Sequence, residues 1–155
     1  MKQITDKQRT IAEQSVYGDL KILQHGIIRT VRYDSSADDN IISIACCCST
    51  SVKPILRPLS WLTREITHEG FNGGEPFVPL IELQKLNRNI RVDGIIAYYN
   101  YGLSLEESLE IIKVLNCWHF DIYYLIDKGD AVSTEEVGDV YAVKNRINND
   151  QTTIH

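Results

Sequence analysis

Four cysteines are the most reactive side chains of this 155-residue sequence, and three of them are adjacent. Thiolates bind zinc and copper well, so Cys46, Cys47 and Cys48 raise the question of a metal site. Successive side chains of a strand point to opposite faces, which would separate Cys47 from its two neighbours. The sequence also lacks a Cys-x-x-Cys or a nearby His-x-x-His pair to complete four ligands. We therefore predict that the cysteines pack as small hydrophobic residues and that the protein binds no metal or other cofactor.

A thiol, an imidazole and a carboxylate follow one another closely in Cys117, His119 and Asp121. These types could form a nucleophile, a base and an orienting acid. On a helix, however, neighbours one and two residues apart diverge by about 100° and 200°, so the three groups would not converge on one substrate atom. We instead predict that Trp118 lies in the core and that His119 and Asp121 bond to other elements. His119 with Tyr123 at i+4 could form one polar edge of a pocket.

Two prolines divide the segment KPILRPLSWLTREI, residues 53–66. Pro54 and Pro58 disfavour a central strand, because proline lacks a backbone donor, and they predict an edge strand. Ser60 could then cap a short helix that carries Trp61. The segment therefore predicts an edge strand that turns into a helix.

Arg57 and Arg64 are the two cations expected near that sheet edge. There they could pair with acids or bind an anionic ligand. The tyrosine cluster at residues 98–101 has two interpretations, a recognition surface or packing against the following helix. A ligand pocket would combine both groups, and we predict Arg57, Arg64, Tyr98 and Tyr101 as ligand-binding residues together with Trp118 and His119.

Hydrophobic patterning predicts an α+β fold, in which an N-terminal antiparallel β meander packs against a C-terminal helical part. The predicted helices cover residues 6–14 after the N-cap Thr5, residues 80–86, helical turns in 93–101, and one long amphipathic helix over 104–128. The long helix starts at a capping box, Ser104 with Glu107, and ends at Gly129. The predicted strands are 20–22, 27–33 after a His25-Gly26 turn, 41–50, 52–56, a hairpin of 65–69 with 75–78, and 140–143.

Size and charge limit the function classes. The length fits one domain over 1–155, in which residues 137–155 form a variable C-terminal tail. The net charge of −5 is uneven, because residues 1–67 carry +2 and residues 68–155 carry −7. No run of Lys or Arg is present, which disfavours nucleic-acid binding. The absence of a long apolar run or signal-like start predicts a cytoplasmic protein with reduced cysteines and no membrane partner.

Three sequence blocks resemble a known group of proteins. KPILRPLSWLTREI at 53–66, EPFVPLIEL at 75–83 and WHFDIYYLIDKGDAV at 118–132 are similar to segments of small uncharacterised proteins from phages and mobile elements of gut Bacteroides-type bacteria. The group shares an arginine-proline-leucine-serine turn, a phenylalanine-valine-proline hairpin and a tryptophan-histidine-phenylalanine-aspartate helix. The resemblance implies a genomic context and carries no activity.

That context favours a small non-enzymatic accessory protein in the cytoplasm of a bacterial host. The leading hypothesis is counter-defence or host takeover, by binding a host protein or by sequestering a small anionic, nucleotide-like signal; a homo-oligomer is compatible with either. The first alternative is a virion-associated structural protein. The second is a small hydrolase that uses His119 and Asp121, which helical spacing disfavours.

Overall fold

The computed structural model describes residues 5–16, 19–32, 41–43, 51–91 and 103–144. It confirms an α+β fold. The strands are β1 Leu20–Gln24, β2 Ile27–Arg32, β3 Ile41–Ser43, β4 Val52–Leu56 and β5 Val132–Ser133. The α-helices are α1 Asp6–Val16, α2 Pro79–Gln84, α3 Leu105–Cys117, α4 Leu125–Lys128 and α5 Thr134–Val137, and two 3₁₀ helices cover Leu59–Thr63 and Asn72–Gly74.

The β1–β2 hairpin forms where the sequence predicts it. His25 and Gly26 both have positive φ, 52° and 77°, as a two-residue type I′ turn requires. This turn sets the antiparallel register that places Leu20 opposite Val31, both of which are buried.

The remainder of the sheet is not a meander. The strand order is β3-β2-β1-β4-β5, with β3 parallel to β2 and β4 antiparallel to β1. The meander prediction holds for the antiparallel β1–β2 hairpin but not beyond it, because β4 pairs with the open edge of β1 rather than with β3. The edge-strand prediction was also wrong, since β5 pairs with β4. That pairing starts at Ile55, one residue beyond Pro54, so the missing donor of the proline is tolerated.

Helix α3 begins as predicted and ends early. Ser104 Oγ accepts from the Glu107 amide at 3.1 Å, and the Glu107 carboxylate accepts from the Ser104 amide at 3.0 Å, so the capping box is confirmed. The predicted continuation to residue 128 was wrong. His119 adopts a φ of 59°, Phe120 forms a bridge with Arg57, and the chain restarts as α4.

The predicted apolar stripe of this helix is divided between the core and the surface. Leu115 is buried and Ile112 is partly buried, whereas Leu105 and Leu109 are 76% and 57% exposed. The buried residues of this helix, Ile111, Leu115 and Asn116, all lie in its C-terminal half.

Several shorter predictions need correction. Thr5 caps α1, but Ala12 is exposed rather than inward. Ser60 caps nothing, because the 3₁₀ helix already begins at Leu59. The second hairpin reduces to one antiparallel bridge between Ile66 and Phe77. Residues 140–143 form turns, and the predicted elements in 44–50 and 93–101 lie outside the described residues.

Two hydrophobic clusters form the core. The first surrounds Trp118, whose ring packs against Phe71 and Phe77 at centroid distances of 5.2 and 5.1 Å. The second lies between α1 and the sheet and includes Ile11 and Leu125. The segment 118–125 contributes to both clusters and joins the helical part to the sheet.

Substitution of Ser104 by alanine should lower the free energy of unfolding by about 1 kcal/mol, because it removes the side-chain acceptor of the capping box. Urea denaturation followed by circular dichroism would measure the change. Ser108→Ala is the matched control, since that hydroxyl only donates back to the Ser104 carbonyl. Equal effects of the two substitutions would contradict a specific role for the cap.

Candidate functional site

Arg57, the first predicted ligand-binding residue, lies in the interior with no exposed surface. Its Nε and Nη2 donate to the two carboxylate oxygens of Asp139, each at 3.2 Å. The guanidinium also donates to the Trp118 and Thr67 carbonyls at 3.0 and 2.9 Å, and Nη1 contacts His68 Nδ1 at 3.1 Å. These contacts occupy all five donors of the guanidinium. A ligand would have to displace Asp139 to reach it.

The two histidines beside Arg57 are held neutral. Burial, followed by the Arg57 charge, lowers the pKa of His68 to about 4. Because Arg57 donates to His68 Nδ1, the proton of that ring lies on Nε2. His119 is also buried, and burial followed by the His68 charge lowers its pKa well below the usual value.

His119 connects this network to the first helix. Its Nδ1 lies 3.1 Å from Gln14 Oε1, and Gln14 Nε2 donates to the Phe120 carbonyl at 2.8 Å. Since an amide oxygen only accepts, His119 Nδ1 carries the proton. Gln14 is fully buried and thereby fixes α1 against the turn that follows α3. The prediction that His119 bonds to another element is confirmed.

Asp121 and Cys117 show no arrangement for catalysis. The Asp121 carboxylate accepts from the amides of Leu125 and Ile126 at 2.8 and 3.0 Å, so it caps α4 as predicted for a structural role. Partial burial raises the pKa of the Cys117 thiol, which keeps it protonated. His119 and Asp121 bond to different elements, in agreement with the expectation that the three groups do not converge.

Residues 139–141, which lie within the predicted C-terminal tail, complete the buried network. The Tyr141 ring stacks on His119 with a centroid distance of 4.1 Å, and its hydroxyl donates to the Ile55 carbonyl at 2.6 Å. Sequence patterning missed this role, because Asp139 and Tyr141 lie in a short segment without periodicity. The two contacts of Asp139 with the guanidinium identify it as the counter-ion of Arg57.

Arg64 lies on the surface, away from this interior cluster. Its guanidinium carbon lies 4.4 Å from the ring centroid of Trp61, and Trp61 Nε1 donates to Glu135 at 3.0 Å. The structure thus brings Arg57, Trp118 and His119 together and separates Arg64 from them. Tyr98, Tyr101 and the three adjacent cysteines lie outside the described residues, and the described residues contain no cluster suited to a metal ion.

An open groove lies between α1 and α3. Its volume is about 870 Å³. Helix α1 contributes Ala12, Glu13 and Val16, and helix α3 and the following turn contribute Glu106, Leu109, Glu110, Ile112, Lys113, Asn116 and Tyr123. We call this feature the α1–α3 groove.

The inner end of the groove is ordered by polar contacts. Glu13 Oε2 accepts weakly from Asn116 Nδ2 at 3.4 Å and from the Tyr123 hydroxyl at 3.5 Å. Burial, followed by the Glu13 charge, raises the pKa of Tyr123, so the phenol remains a donor. Together with Gln14, these contacts fix the spacing of the two helices and preform the groove.

The groove combines apolar and acidic side chains. Leu109 and Val16 are 57% and 56% exposed. Three glutamates and one lysine line the same surface, which gives it a formal charge of −2. The sequence predicted an amphipathic helix over 104–128 but no groove beside it. The available sequence signal was the i,i+4 spacing of Leu105 with Leu109 and of Glu106 with Glu110. This spacing places the two members of each pair on the same face of a helix.

Comparisons with protein-family models, with curated proteins and with solved structures found no match. No helix within the described ranges has the length and apolar composition that crossing a membrane requires. The α1–α3 groove and the resemblance of the three sequence blocks are therefore the two observations on which a proposal of function can be based.

Proposed function

We propose that this protein is a non-enzymatic accessory factor of a phage or mobile element, and that it acts by binding a host protein in the α1–α3 groove. The observation that carries this proposal is the exposed apolar surface of Leu109 and Val16 between two helices fixed by buried contacts. Protein interfaces combine apolar and polar side chains, and the lining of the groove contains both. The sequence blocks that resemble phage-borne proteins supply the host context.

The alternative of sequestering a nucleotide-like signal has less support. That hypothesis needs Arg57 and Arg64 in one accessible pocket, but the Arg57 donors are satisfied inside the protein. A bound phosphate would compete with Asp139 for a fully buried cation. Binding of a partner in the α1–α3 groove does not require Asp139 to be displaced from Arg57.

The proposal predicts that Leu109→Asp abolishes capture of the host protein. Because Leu109 is more than half exposed, the change should alter the free energy of unfolding by less than about 0.5 kcal/mol. Tagged protein would be purified from Bacteroides-type cells and analysed by native mass spectrometry. Ile81→Asp on α2 is the matched control, since Ile81 is 54% exposed and lies outside the groove.

The expected result is a host protein that copurifies with the wild type and with Ile81→Asp but not with Leu109→Asp. A protein captured equally by all three variants would contradict binding in the groove. A bound small molecule without a protein would favour the sequestration hypothesis instead.

A further inference from the structure

We infer that the segment of the partner that occupies the α1–α3 groove is a basic amphipathic helix. This inference specifies the partner chemistry and rests on the proposed function. The shape of the groove suits a helix. Two helices flank it, and one of them, α3, has 13 residues and is about 20 Å long. A third helix of three to four turns can place its apolar face along such a groove.

The charge of the groove favours a basic partner. Glu106 and Glu110 are i,i+4 neighbours on α3, where like charges repel each other. Within the described chain, neither carboxylate forms a salt bridge. Glu107, in contrast, bonds to the Ser104 amide and to Asn87, so it serves the helix cap. A lysine or arginine of the partner would relieve the repulsion between Glu106 and Glu110.

The acidic surface of the groove disfavours nucleic acids, anionic membranes and acidic helices as partners. An acidic surface repels the phosphates of nucleic acids and of anionic membranes, which need clustered cations. Lys113 is the single cation among the groove residues, against three glutamates. An acidic or neutral helix could use Leu109 and Val16 but would leave the two α3 carboxylates unmatched. The apolar residues supply contact area, and the carboxylates favour a partner with positive charge.

Fluorescence anisotropy with three labelled 16-residue peptides tests this inference. The first peptide has leucines at i, i+3, i+4 and i+7 and lysines elsewhere, the second has glutamates in place of the lysines, and the third is a scrambled form of the first. At 0.15 M salt, we expect saturable binding of the basic amphipathic peptide. We expect at least tenfold weaker binding of the acidic and scrambled peptides.

The double substitution Glu106→Gln and Glu110→Gln should weaken binding of the basic peptide about five- to tenfold. Glu136→Gln, an exposed acid of α5 outside the groove, should leave it unchanged. Equal binding of the basic and acidic peptides, or no effect of the double substitution, would overturn the inference. If host-protein capture still depended on Leu109, the proposed function would stand without it. Loss of discrimination together with Leu109-independent capture would reject both.

Discussion

Asp139→Asn is expected to lower the free energy of unfolding by about 3 kcal/mol, because it leaves the charge of a fully buried arginine without its counter-ion. Burial already lowers the pKa of Arg57, and the Asp139 charge opposes that effect. Asparagine keeps the size of the side chain and one acceptor oxygen, so the substitution mainly removes charge. Urea denaturation monitored by tryptophan fluorescence would measure the loss.

Asp130→Asn is the matched control, because Asp130 is exposed and forms a backbone contact only through its amide. It should change stability by less than about 0.5 kcal/mol. Similar small losses for both variants would show that Asp139 does not neutralise Arg57, and the account of the buried network would fail.

The second large effect is loss of stability at mildly acidic pH. The folded-state pKa of His68, about 4, is below the unfolded value of 6.5, and that of His119 is lowered in the same direction. Between those values the unfolded chain binds protons that the folded chain excludes, so stability falls as the pH decreases from 6.5 towards 4. His68 alone should cost about 2 kcal/mol of stability at pH 5, and His119 adds a loss in the same direction. Protonation of His68 Nδ1 would also remove the acceptor of Arg57.

His68→Gln tests the origin of this pH dependence. The His68 side chain makes two hydrogen bonds, one with Arg57 and one with the backbone at Cys117. A glutamine can accept from the first and donate to the second, but it does not titrate. Unfolding curves from pH 7.5 to 5 should show a smaller dependence of stability on pH than those of the wild type. An unchanged slope in His68→Gln would contradict the assignment.

Local sequence signals predicted the local elements. The capping box at Ser104, the His25-Gly26 turn and the Gly129 helix end all depend on interactions within a few residues, and all three are observed. The long helix failed for a reason that patterning cannot detect. A stripe at 3.6-residue spacing continues through residues 118–125, but the contacts of Phe120 with Arg57 and of Asp121 with α4 favour a turn.

Long-range contacts explain the errors at the candidate sites. Arg57 was predicted to be accessible because its partner Asp139 is 82 residues away in an unpatterned segment. The exposure of Leu109 escaped prediction because an amphipathic pattern does not specify how far the core extends along a helix. The groove depends on the packing of α1 against α3, which Gln14 and Asn116 set across 102 residues.

The buried network and the groove are mechanically connected. The same His119 that stacks on Tyr141 holds Gln14, and Gln14 positions the α1 wall of the groove. Loss of the network at acidic pH should therefore weaken peptide binding as well as stability. The shape of the groove therefore depends on the buried residues Gln14 and His119 as well as on the residues that line it.

Photo-crosslinking from the groove tests the central claim most directly. A benzoylphenylalanine in place of Leu109 would be irradiated in Bacteroides-type cells, with the same group in place of Ile81 as control, and the crosslinked peptides would be identified by mass spectrometry. The account predicts one host protein crosslinked from position 109 and not from position 81, through a helical segment with net positive charge. Crosslinks of equal yield from both positions, or to an acidic segment, would contradict it.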